Sequence, residues 1–307
     1  MSFKLIRYEK QDGIASIRIN RPEALNALNS DVNAEIAAVL EEIDADRSVR
    51  VLIITGDARA FAAGADITEM AQASPRRALE VSSLAVKINN TLENMSVPTI
   101  AAVAGYAFGG GCEMTLACDF RVGGSRTRMS FPEVGLGIIP GANGCVRAVE
   151  LVGAAKAREL IMLTPVITGE EAYKIGLLNR YVGPGEHDEL ERAALIAKQN
   201  LSDAQKTGDE AEIRDAKKTY KDAEAAAAQE EFDTIYALAL EIAQALKEKP
   251  ACALAAAKAA INRAALETVA AGKETEKAEF TLLFDTKDQK EGMAALTEKR
   301  KPLYTGC

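Results

Sequence analysis

The sequence predicts an α/β fold, and three observations carry that prediction. Short apolar runs of strand character recur at residues 14–19, 51–55, 99–103 and 120–122, helical stretches such as 31–46 and 83–95 separate them, and glycine-rich junctions follow the runs at 51–55 and 99–103. Strands that alternate with helices bury both faces of a sheet, which is the α/β solution to covering apolar surface. With 307 residues, 48% of them hydrophobic, the chain is long enough for one large domain with a small one appended.

Taken in order, residues 1–10 read as an amphipathic first strand, with no signal or transit pattern. Residues 51–55, Val-Leu-Ile-Ile-Thr, form a strongly apolar strand candidate. The segment from Ala60 to Met70, with Arg59 before it, carries a glycine and then leads into a helical pattern. Residues 99–103 precede a second glycine run, Gly109-Gly-Gly111. A backbone without side chains approaches a ligand closely with its amides exposed, and a helix start adds partial positive charge. Two such junctions can present two amides to one oxygen, which is what an enolate requires. Glu113 follows the glycine run and Glu133 lies in Phe131-Pro-Glu-Val-Gly, so two carboxylates are available as acid and base. Each feature also has a plainer role: glycines serve tight turns and close packing, and glutamates near helix starts serve the helix dipole.

Residues 186–231 are rich in alanine, lysine and acids. Apolar positions fall at 190, 194, 197, 201 and 204, and again at 213, 216, 220, 223 and 227, a three-four spacing that predicts two facing helices. Thr207-Gly-Asp209 supplies the turn, and Asp209 with Glu212 resembles a capping box. The expectation is an antiparallel hairpin that projects from the core or lies on a neighbouring subunit.

Charge and composition exclude several functions. A net charge of −8 argues against a nucleic-acid surface, and no run has the apolar length of a membrane helix, so neither nucleic acid nor membrane is expected as a partner. The five cysteines, at 112, 118, 145, 252 and 307, fit neither a disulfide framework nor a zinc pattern, so reduced thiols and a cytoplasmic location are expected and no metal site is. Cys112, beside Glu113, reads as a small buried hydrophobe. The single histidine, His187, sits in a polar loop, which disfavours a serine-histidine-aspartate mechanism. The glycine run lacks both the GxGxxG spacing and the lysine of a nucleotide-binding loop.

Four stretches together resemble the crotonase, or enoyl-CoA hydratase/isomerase, superfamily: Asn20-Arg-Pro-Glu-Ala-Leu-Asn-Ala-Leu-Asn29, Phe61-Ala-Ala-Gly-Ala-Asp66, Ala104-Gly-Tyr-Ala-Phe-Gly-Gly-Gly-Cys-Glu113 and Phe131-Pro-Glu-Val-Gly-Leu-Gly-Ile-Ile-Pro-Gly141. The similarity runs over residues 1–183 and resumes near Phe232. It implies a spiral of repeated strand-strand-helix turns (1–183), an inserted helical hairpin (184–231) and a C-terminal helical region for oligomerisation (232–307). It implies an oxyanion hole from the amides of Ala65 and Gly110, with Glu113 and Glu133 as the two hydratase carboxylates. Coenzyme A is part of the substrate and no separate cofactor is needed. Implied substrate contacts are Ala24, Leu25, Ala63, Gly64, Asp66, Ile67, Gly141 and Asn143. Lys301, with Lys299 and Arg300, either meets the coenzyme A phosphates or belongs to a solvated basic tail. A homotrimer or a dimer of trimers is the implied assembly. Where relatives carry Gly-Ala-Gly-Gly-Thr-Gln-Arg after the proline, this chain reads Gly-Ala-Asn-Gly-Cys-Val-Arg147, so Asn143 either meets a polar acyl group or serves a turn. The expected reaction is water addition to a 2-enoyl-CoA. Double-bond isomerisation, hydration of a dienoyl or cyclic acyl-CoA, and a non-catalytic scaffold are the competing expectations.

Overall fold

The computed structural model describes residues 3–184, 189–266 and 269–306. The chain opens with an antiparallel pair, β1 (Ile6–Gln11) and β2 (Ile14–Ile19), followed by α1 (Ser30–Ala45). Next come β3 (Val51–Thr55), β4 (Ala60–Ala62), the single turn α2 (Ile67–Met70) and α3 (Pro75–Asn94). A second round follows in β5 (Thr99–Val103), β6 (Tyr106–Phe108) and α4 (Gly110–Leu116). The third consists of β7 (Phe120–Gly124), β8 (Arg128–Ser130) and α5 (Gly144–Met162), whose backbone breaks at Gly153. Then come β9 (Ile167–Thr168), α6 (Gly169–Lys174), β10 (Arg180–Val182), α7 (Glu189–Thr207), α8 (Glu210–Lys247), α9 (Ala251–Leu266), α10 (Val269–Leu283) and α11 (Lys287–Glu298).

Among the described residues the strands form two sheets, ordered β1-β2-β3-β5-β7-β10 and β4-β6-β8-β9. β3, β5 and β7 are parallel neighbours in the first sheet, as β4, β6 and β8 are in the second. Each strand-strand-helix round therefore advances one position in both sheets, which makes the chain a spiral. Its α/β character and its helical C-terminal part agree with the sequence expectation.

β3 and β5 are buried at every position because both faces of the sheet are covered. Leu52, Ile54, Ala101 and Val103 pack into the main core with the inner faces of α1 and α3, while Val51, Ile53, Ile100 and Ala102 pack beneath Phe232, Ile235, Ala239 and Ala243 of α8. α1 begins as expected for its N-cap: Asn29 Oδ1 accepts from Val32 N at 2.9 Å.

Of the expected insertion, residues 189–231 do not stand apart from the C-terminal region, since α8 runs unbroken through the boundary at 231/232. Its first part packs along α7, with Ala194, Ala197, Ala204 and Ala227 buried between them, and its second part lies on the sheet. Asp209 caps α8 by accepting from Ala211 N and Glu212 N, whereas the Glu212 carboxylate takes the Thr207 hydroxyl instead of returning to the cap. The helix pair is tied to the core by Arg126, whose guanidinium meets both carboxylate oxygens of Glu191 at 2.7 and 2.8 Å and also pairs with Glu224. Glu231 takes the Ser125 hydroxyl at 2.7 Å. The pair therefore lies against its own β7–β8 turn.

Cys112, Cys118 and Cys145 are free thiols, but Cys252 is disulfide-bonded, contrary to the expectation of reduced cysteines throughout. His187 and Cys307 lie outside the described residues. No helix among the described residues is long and apolar enough to cross a membrane.

Candidate active site

The loop after β4 is stitched to the segment that precedes α1. Ala63 N donates to Leu25 O at 3.0 Å, Leu28 N to Gly64 O at 2.8 Å and Asp66 N to Leu28 O at 3.1 Å. The Gly64 and Asp66 bonds form a parallel bridge between Leu28 and Ala65, which leaves the Ala65 amide on the opposite side, towards α4. A Cβ placed on Gly110 would lie 3.7 Å from Ala65 N and 4.0 Å from Glu113 Oε2. The missing side chain at 110 thus keeps open the space between one amide and one carboxylate.

The other two glycines of the run have different causes. Gly109 has φ of +47°, and a Cβ there would come within 2.8 Å of Glu133 Oε1. A Cβ on Gly111 would fall 2.2 Å from Ala62 O, so α4 can touch β4 only without one.

Glu113, on α4, is 3% exposed; its Oε1 accepts from Ala142 N at 2.7 Å and Gly144 N at 2.8 Å. Burial raises its pKa, while the two amides and Arg147 work in the opposite direction. Arg147 is itself held by Glu93, at 2.9 Å. Glu133 heads a 3₁₀ turn, is 8% exposed, and has an Oε2 that is buried without a hydrogen-bond partner. Burial, opposed by its own backbone amide and reinforced by the Glu113 charge, lifts its pKa to about 7. One carboxylate is therefore anchored by amides and the other is poised to hold a proton at neutral pH, the pairing that acid-base chemistry uses.

Both glutamates, with Ala65 and Gly110, line a single cavity of about 150 Å³. Much of the rest of its wall comes from α1 with Asn33, from α2 with Ile67 and Met70, from α3 with Ala78, Val81, Ser82, Ala85 and Asn89, and from Leu136, Ile138, Ile139, Gly141 and Ala142.

A family model described as enoyl-CoA hydratase/isomerase matches residues 9–238 and 226–306. The chain belongs to the enoyl-CoA hydratase/isomerase family. Among its relatives is the crotonyl-CoA hydratase of Syntrophomonas wolfei, 36% identical over 302 residues that cover 98% of each chain. The short-chain-enoyl-CoA hydratase of Clostridium acetobutylicum is 34% identical, covering 98% of this chain and 97% of the relative. A crystal structure of enoyl-CoA hydratase from Bacillus anthracis superposes with a TM-score of 0.80 at 28% identity, over 99% of this chain and all of that one.

Within this enoyl-CoA hydratase/isomerase fold, the residues that the sequence singled out do not all meet. Ala63, Gly64, Ile67 and Gly141 line the cavity beside Ala65, Gly110, Glu113 and Glu133. Leu25 is bonded to the Ala63–Gly64 loop through its carbonyl, and neither it nor Ala24 is among the lining residues. Asp66 caps α2 through Thr68 N, and hydrogen bonds from the Thr68 hydroxyl and from Arg21, both at 2.6 Å, hold its carboxyl down at about 2. Asn143 is also absent from the lining: it has φ of +68°, heads α5, and donates from Nδ2 to Asn90 Oδ1 at 3.2 Å, so it is the turn residue. Lys301 is exposed and lies 3.4 Å from Glu248, away from the cavity wall.

The sequence reading missed most of the cavity wall that α3 supplies. It began the helix at residue 83, whereas α3 starts at Pro75 with Ser74 capping Arg77 N. Ser-Pro before a helical run was the available signal. Around Glu133, Phe131 is buried and Leu136 lines the cavity, whereas Val134 is 40% exposed and absent from the lining.

Proposed function

We propose that this family member is a hydratase that adds water across the 2,3 double bond of a short 2-enoyl-CoA to give a 3-hydroxyacyl-CoA. The observation that carries the reading is the convergence in one cavity of two amide-bearing loops and two unlike carboxylates, of which Glu133 keeps a buried oxygen without a partner. In this reading Glu113 takes a proton from the attacking water as its oxygen bonds to C3. The π electrons move through C2 onto the thioester oxygen, where the amides of Ala65 and Gly110 hold the enolate. Glu133 then gives its proton to C2 as the carbonyl re-forms, and exchange with solvent restores the two carboxyl groups. Stabilisation of the enolate is the largest single contribution to such a step.

Coenzyme A belongs to the substrate, and the reaction as written needs neither metal nor redox cofactor. The backbone of residues 21–25, the Ala63–Gly64 loop and Asp66 are assigned to the nucleotide part of the thioester, with Lys301 reaching its phosphates from the same or a neighbouring subunit. A homotrimer or dimer of trimers accompanies this reading.

The test follows the ultraviolet absorbance of crotonyl-CoA with wild type, Glu113→Gln and Glu133→Gln. Loss of absorbance in wild type and collapse of the rate in both variants is the expected result. If crotonyl-CoA persists while a 3-enoyl-CoA gains absorbance, the protein is an isomerase.

A further inference from the structure

Among the described residues, four buried side-chain atoms have no hydrogen-bond partner: Asn33 Oδ1, Ser130 Oγ, Glu133 Oε2 and Gln289 Oε1. Two of these residues, Asn33 and Glu133, line the same cavity. Glu133 is accounted for by the reaction. Asn33, 3% exposed on α1, is not.

A buried amide oxygen left unpaired destabilises the protein, so an acyl pocket meant only for alkyl chains is better served by an apolar residue at that position. The nearby polar side chains are already engaged. Ser82 Oγ donates to Gly141 O at 2.6 Å, and Asn89 Nδ2 donates to Ala142 O at 3.0 Å, so both hold the 141–142 loop against α3. That leaves Asn33 as the wall amide whose oxygen is both fully buried and without a partner. Around it the wall is apolar, with Ile67, Met70, Val81 and Met114, and its only charged residues among those described are the two glutamates. No lysine or arginine among the described lining residues offers a counter-charge to a distal carboxylate. The matching ligand group is an uncharged hydrogen-bond donor on a short chain.

Resting on the hydratase reading, we propose that Asn33 is a specificity residue whose side-chain amide accepts a hydrogen bond from a hydroxyl on the acyl group, making short hydroxylated 2-enoyl-CoA thioesters the preferred substrate class. The polar contact that the sequence offered to Asn143 is thereby assigned to α1. A site built to bond a hydroxyl rejects the alkyl analogue strongly, because its own polar group is then stranded.

The experiment compares kcat/KM within two near-isosteric pairs, 4-hydroxybut-2-enoyl-CoA against pent-2-enoyl-CoA and 5-hydroxypent-2-enoyl-CoA against hex-2-enoyl-CoA, with crotonyl-CoA alongside. Wild type is expected to favour the hydroxylated member of at least one pair by about tenfold or more. Asn33→Leu and Asn33→Ala are expected to abolish or invert that ratio. Because the readout is a ratio within one protein, either variant suffices if the other does not fold. Hydration of crotonyl-CoA with no hydroxyl preference in either pair would overturn this proposal and leave the hydratase reading standing. So would a preference that survives both substitutions. Failure to hydrate any of the five thioesters would overturn both.

Discussion

The two ends of the cavity are built differently. The reacting end is backbone and glycine: amides at 65 and 110, loops at 63–66 and 141–144, and a Glu113 carboxylate gripped by two further amides. The wall assigned above to the acyl group is made of side chains, presented by α1, α2 and α3. Backbone positions are fixed by the hydrogen-bond ladder and cannot be altered without moving the chain, whereas a helix face can exchange one side chain for another. The reacting end should therefore be intolerant of change and the wall adjustable.

The comparison breaks first, if it breaks, at the carboxylates. Glu113→Gln and Glu133→Gln are expected to lower kcat for crotonyl-CoA by on the order of 10²–10⁴-fold or more, with a smaller change in KM. Steady-state kinetics at the enoyl thioester absorbance checks this. Gly110→Ala comes next. Its Cβ would meet neighbours only at ordinary contact distances, so the protein folds, but the methyl enters the space in front of Ala65 N, and a loss of about 10²–10³-fold is expected. Circular dichroism beside the rate separates this from a folding defect. Gly111→Ala, whose Cβ would overlap Ala62 O, should instead fail to fold.

The pH dependence sharpens the same contrast. Glu133 must be protonated to donate, and its pKa is raised to about 7, so kcat/KM should fall as pH rises through about 7. Glu113 must be ionised, and its raised pKa sets the acidic limb above the usual glutamate value of 4.5. The two apparent values belong to the pair. For stability the sign is the same: a carboxyl with a raised folded-state pKa contributes most below its unfolded value and loses that contribution as pH rises through about 7. Thermal melts should thus show Glu133→Gln gaining on wild type at pH 8 relative to pH 5.

At the wall the effects are smaller and selective. Ala85→Leu should reduce kcat/KM for hex-2-enoyl-CoA relative to crotonyl-CoA by about tenfold, as expected for a few methylenes of lost space. The smallest effect belongs to Asn143→Gly. The position already has a left-handed φ that glycine adopts freely, so stability should shift by less than about 1 kcal/mol with substrate preference unchanged. A changed preference there would return Asn143 to the acyl group.

The difference between the two ends also explains what could be read in advance. A reacting end made of loops carries its signature in contiguous residues, because the glycine at 109 with positive φ, the close contact at 111 and the glutamate at 113 belong to one turn of chain. The acyl wall has no such signature. Asn33, Met70, Ala85 and Gly141 come together only after α1 has packed on α3 and the 141–142 loop has been bound by Ser82 and Asn89. Asn143 was a reasonable candidate on polarity and position, yet two residues along a loop are enough to turn a side chain away from the cavity it borders.

By itself, the sequence determined the alternation of strands and helices, the strands buried on both faces at 51–55 and 99–103, the facing apolar stripes of the two helices after residue 188, and the glycine-flanked glutamates. These follow from local periodicity and from what glycine alone permits, both of which act over a few residues. Only the tertiary structure decided that α8 continues from the helix pair onto the sheet, that Arg126 clamps that pair to its own core, and that the fully buried carboxylate oxygen without a partner belongs to Glu133. Those outcomes depend on burial and on hydrogen bonds between segments far apart in the chain, and neither exists until the segments have met.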